Sequence, residues 1–127
     1  MKNRDIYDAA LKILAASAEP CDSSDYEERA PYLIAAFCCE TGDIDEAYRK
    51  ANELDPPQKN DPVFLPLGDD FPCCDRFTHA AVLYLASMLI IDENAELSDK
   101  LFDKYCDSLS AIASSIPAVT ESIINRY

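Results

Sequence analysis

Residues 77–91 read Phe-Thr-His-Ala-Ala-Val-Leu-Tyr-Leu-Ala-Ser-Met-Leu-Ile-Ile, and the fold follows from how that stretch must be hidden. Phe77, Ala80, Ala81, Tyr84, Met88 and Ile91 recur at helical steps along one side, while Val82, Leu85 and Leu89 mark another. A helix that is apolar nearly all round has no face to give to water. The stretch therefore predicts the central element of a helical domain, covered by its neighbours. Asp75 stands where a helix cap is expected.

Downstream, Asp92-Glu93-Asn94 separates this helix from one carrying Leu97, Leu101, Tyr105, Leu109, Ile112 and Ile116. Those residues lie at steps of four, four, four, three and four, the clearest amphipathic pattern in the chain. Pro117 stops the helix and leaves a tail, about 117–127, that carries Val119, Ile123 and Ile124.

Upstream, Ile6, Ala9, Ala10, Ile13 and Leu14 form the apolar face of a first helix from about Asn3 to Ser17, ended by Pro20. Ser24 and Glu27 have the spacing of a capping box for a second helix with Leu33, Ala36 and Phe37 inward. Pro31 either kinks that helix or begins a separate one. Gly42 closes the segment, and Asp43 with Glu46 repeats the capping logic for a third helix bearing Ile44, Ala47, Tyr48 and Ala51. From Leu54 to Cys74, prolines and acids separate Val63, Phe64, Leu65, Leu67 and Phe71. A connection of that length has a job, either covering the core or docking on another subunit.

The expectation is an all-α, compact bundle of about five helices with a long Pro-rich loop, about 54–74, between helices three and four. All of it forms one domain, 1–127, because a split would leave two units too small to bury enough surface. Apolar residues make up 49% of the chain, enough for one core, and only two glycines argue against a turn-rich sandwich or barrel.

A formal net charge of -13, from 24 acids against 11 bases, repels phosphate backbones and anionic lipid. Sequence-specific nucleic-acid binding is not expected. No apolar run approaches the roughly 18 to 20 residues of a spanning helix, so no membrane partner is expected either. Asp5, Asp8 and Lys12 break what would otherwise pass for a secretory signal, and the start reads as an amphipathic helix. The six cysteines, Cys21, Cys38, Cys39, Cys73, Cys74 and Cys106, then read as reduced, small and apolar. Neither Cys-Cys pair has zinc-ligand spacing and His79 is the lone histidine, so no metal is expected.

Asp99, Asp103 and Asp107 share one helix face, but Glu96, Lys100 and Lys104 interleave with them as a solvated charged surface. Asp92-x-Asn94-x-Glu96 begins like a calcium loop, yet Leu97 stands where that loop requires glycine. Cys73 and Cys74 precede a helix, with His79 beyond them, and no third orienting residue is recognisable. Phosphate loops, serine elbows and paired histidines are missing from the sequence. The chain reads as no enzyme, without catalytic residues or cofactor. Residues 42–56, Gly42-Asp43-Ile44-Asp45-Glu46-Ala47 through Asp55-Pro56, look like the second helix and exit of a tetratricopeptide repeat, shortened by about one turn and without a second copy. That likeness carries the alternative of a stand-alone helical adaptor for protein partners.

Cys74-Asp75-Arg76-Phe77, then Ala81 through Leu89, Asp92-Glu93-Asn94, Glu96-Leu97, Tyr105 and Ile116-Pro117-Ala118-Val119 resemble the small head-tail connector proteins of tailed phages and prophages. The resemblance covers the carboxy-terminal half. It implies a helical subunit that forms a homo-oligomeric ring between portal and tail proteins around a passage for DNA, located in the cytoplasm of a bacterial host or in the virion. Phe64, Leu65, Leu67 and Phe71 of the loop, with Val119, Ile123 and Ile124 of the tail, are the candidate contact residues.

Overall fold

The computed structural model describes residues 1–15, 23–57 and 61–116. Among them stand four α-helices, α1 (Asn3–Ala15), α2 (Ser23–Ala51), α3 (Thr78–Ile90) and α4 (Ala95–Ser114). A 3-10 turn at Asp75–Phe77 leads into α3. The chain is helical, and among the described residues the only strand-like pairing is an isolated bridge between Lys2 and Asp70.

Ala80 through Ser87, Leu89 and Ile90 of α3 are all buried. This helix packs most extensively on α4, then on α1, then on α2. Full burial of a leucine such as Leu85 or Leu89 contributes about 1.5–3 kcal/mol relative to exposure. Asp75 does not cap α3: it is exposed within the 3-10 turn, whose bond runs from the Phe77 amide to the Cys74 carbonyl (2.9 Å). At α4 the Asn94 side chain accepts the Leu97 amide (3.0 Å), satisfying a free helix-end donor. Leu101, Tyr105 and Ile112 of α4 are buried, and the Ser98 hydroxyl donates to the Ser87 carbonyl (2.9 Å), tying α4 to α3.

The separate second and third helices expected from the sequence are one helix, 29 residues long, that runs through both Pro31 and Gly42. Its buried stripe is Ala30, Ile34, Phe37, Thr41 and Asp45, at unbroken helical steps across Gly42. Leu33 is only half-buried and Ala36 exposed, so the inward face differs from the expected one. Packing along the stripe outweighs the bond that Pro31 removes. Ser24 lies inside the first turn rather than at its cap, and Asp43 lies mid-helix. At the exit, the Leu54 amide donates to the Arg49 carbonyl (2.8 Å) and Glu53 adopts φ 57°, so a Schellman motif ends α2 ahead of the prolines.

Ile6, Tyr7, Ala10 and Leu14 of α1 face the core, and Ser17, Pro20 and Cys21 lie outside the described residues. The start of α1 is capped by a distant segment. Asn3 and Arg4 amides donate to the carbonyls of Asp69 and Leu67 (both 2.9 Å), the Asn3 side chain donates to the Pro66 carbonyl (2.9 Å), and the Phe71 amide donates to the Met1 carbonyl (2.8 Å). Residues 66–71 thereby lie along the amino end of the chain, with Leu67, Phe71 and Cys73 buried.

An aromatic cluster unites the layers. Phe37 of α2 stacks on Phe71 (ring centroids 6.2 Å apart), meets Tyr84 of α3 (5.8 Å) and Tyr105 of α4 (6.1 Å), and Tyr84 meets Tyr105 (5.2 Å). Burial pushes the Tyr84 and Tyr105 hydroxyls up, and Tyr105 donates to Glu40 (3.3 Å).

Candidate functional site

Arg49 closes the root of the connection between α2 and the 3-10 turn. It pairs with the buried Asp45 (3.0 Å) and donates to the carbonyls of Asp55 (3.2 Å) and Pro72 (2.7 Å), one near each end of the connection. Asp45 also accepts the Cys74 amide (3.1 Å). A carboxylate this deeply buried is tolerated because a guanidinium and an amide satisfy it.

With its root held, the arm at 61–65 lies over the outside of α2. The Leu65 amide donates to the Pro31 carbonyl (3.1 Å), and Phe64 meets the Tyr32 ring edge-on (centroids 5.0 Å, 69°). Val63 is 78% exposed, Tyr32 53% and Phe64 46%. Tyr32 and Phe64 thus form an exposed aromatic pair on α2, with exposed Val63 next to Phe64 in the chain, on a protein that carries 24 acids against 11 bases.

Of the expected contact residues, Phe64 is therefore at the surface and Leu65 half-buried, whereas Leu67 and Phe71 face the core. Val119, Ile123 and Ile124 lie outside the described residues. Tyr32 and Val63 were not among the expected contacts. Nothing in spacing links position 32 to position 63; the Pro31 carbonyl, turned to Leu65, and Cys39, turned to the Pro62 carbonyl, bring them together.

A second feature is an open hollow of about 600 Å³ between α1 and the start of α3. Ala9, Ile13 and Val82 give it an apolar lining, and Lys12, Asp75, Arg76 and His79 edge it with charges of both signs. Neither Lys12 nor Arg76 forms an ion pair among the described residues, although acids outnumber bases about two to one in the sequence.

The cysteines gather where the connection rejoins α2. The sulfurs of half-buried Cys38 and buried Cys73 lie 3.6 Å apart, with Cys74 beside Asp45 and Cys39 exposed next to the Pro62 carbonyl (3.6 Å). Contact with Cys73 and then burial push the Cys38 thiol up; burial and the Asp45 carboxylate push Cys74 up to about 11. An activated nucleophile needs the opposite shift. His79 is exposed at the α1 hollow and makes no hydrogen bond to Cys73 or Cys74 among the described residues. On α4, Asp99, Asp103 and Asp107 are exposed, with Lys100 paired to Glu96 (3.5 Å), a solvated charged face.

Among the described residues no three His, Cys, Asp or Glu side chains gather as metal ligands would, and no helix is long and apolar enough to cross a membrane. No family model, curated protein or solved structure matches this chain.

Proposed function

We propose that this protein is a non-enzymatic assembly subunit of the head-tail connector kind, docking between portal and tail proteins as one member of a ring. The observation that carries the reading is the Tyr32–Val63–Phe64 patch: apolar, exposed and held against a 29-residue helix. Desolvating such a patch drives protein association, and aromatic side chains ordered before binding lose little further entropy when they dock. The surplus of 24 acids over 11 bases suits a wall past which DNA slides without sticking. The likeness of the carboxy-terminal half to connector proteins supplies the identity of the partners.

A stand-alone adaptor is the second reading, and the open hollow between α1 and the start of α3 favours it, since its apolar floor, edged by Lys12, Arg76 and His79 together with Asp75, fits a peptide bearing an apolar side chain. Residues 42–51 of the tetratricopeptide-like segment continue α2 without a break, which gives that likeness no helical hairpin to stand on. Native mass spectrometry of the chain mixed with portal protein separates the readings. A connector subunit appears in multi-copy complexes with the portal; only free monomer across the mixing range contradicts the proposal.

A further inference from the structure

We propose that Cys38 and Cys73 form an oxidation site, an intramolecular disulfide that bolts the end of the 54–74 connection to α2. The two sulfurs already touch at 3.6 Å, and a disulfide needs about 2.0 Å, a closure of the order that side-chain rotation supplies. The pairing is built rather than casual, because both chain neighbours of Cys73 are tied to α2. The Pro72 carbonyl accepts from Arg49 (2.7 Å), and the Cys74 amide donates to Asp45 (3.1 Å). Cys73 is consequently held against the helix that carries Cys38, while the more exposed Cys39 turns instead toward the Pro62 carbonyl.

The oxidant is a small-molecule disulfide of the glutathione class. Half-buried Cys38, the more accessible of the two, attacks one sulfur of that reagent as thiolate, forming a mixed disulfide and releasing one small thiol. The Cys73 thiolate then attacks the Cys38 sulfur and expels the second small thiol. Two protein thiols become one disulfide, and the two electrons and two protons they lose leave on the two reduced reagent molecules.

The test uses the full chain, folded, with excess oxidised glutathione over a long incubation, since the contact with Cys73 and burial hold the Cys38 thiol up and slow the first exchange. The expected product has lost two hydrogens by intact mass, joins the digest peptides that hold positions 38 and 73, melts at a higher temperature, and reverts with dithiothreitol. Because each peptide holds two cysteines, the pairing is assigned with variants. The doubly substituted Cys39→Ser, Cys74→Ser chain still forms the link, whereas Cys38→Ser and Cys73→Ser do not. A link that survives Cys38→Ser, that forms only in denaturant, or that never forms in the folded wild-type chain overturns the proposal.

Discussion

The two arms of the connection between α2 and α3 have similar letters and opposite fates. Residues 61–65 hold Val63 and Phe64 out to solvent over α2, whereas residues 66–73 turn Leu67, Phe71 and Cys73 into the core beside the start of α1. Both arms mix prolines, acids and large apolar side chains. What separates them is where their backbone groups find partners. The inner arm caps the free amides of α1 and completes the aromatic cluster around Phe37, so it is structure. The outer arm is anchored to the main chain of α2 chiefly through Leu65 and leaves Val63 and Phe64 exposed. Apolar content alone does not say whether a loop residue packs or docks; the hydrogen bonds of its neighbours do.

The largest expected effect falls on the inner arm. Phe71→Ala empties a place against Phe37 and should cost about 3–5 kcal/mol in a denaturant titration. A loss under about 1 kcal/mol would mean that the inner arm is no more integral than the outer one. A smaller effect is expected from Asn3→Ala, which removes the buried side chain that donates to the Pro66 carbonyl; about 0.5–1.5 kcal/mol should be lost, read from the same titration. Hydrogen exchange at the Asn3 and Arg4 amides should quicken in that variant if the arm and α1 hold each other as described.

The elements that were legible in the sequence are those whose buried stripe is apolar but for a single serine, Ser87 in α3 and Ser98 in α4. The circumference of α3 and the seam of α4 from Leu97 to Ile112 could be read from spacing. For α2, the stripe passes through Thr41 and Asp45, polar residues that are buried because Thr41 bonds back to Phe37 (2.9 Å) and Asp45 meets Arg49 and Cys74. At those two positions the apolar period fades, just where Gly42, Asp43 and Glu46 spell a local stop and start. Local letters and tertiary packing disagreed, and packing prevailed.

The candidate surface was legible only in part for a related reason. Phe64 and Leu65 could be singled out by composition, but Leu67 and Phe71 sit in the same composition and turn inward to meet residues more than sixty and thirty positions away. Tyr32 met Phe64 through carbonyl contacts at Pro31 and Pro62 across the fold, and the Cys38–Cys73 pair formed through the Arg49 and Asp45 ties. Such meetings depend on which backbone donors the fold leaves free, a property that no short window of sequence contains.

Phe64→Asp puts the account to its most direct test, with stability and portal binding measured on the same preparation. The outer arm is a docking surface if the unfolding midpoint stays within about 0.5 kcal/mol of the parent while the portal complex is lost. Unfolding of the variant, or a portal complex as abundant as that of the parent chain, would contradict it.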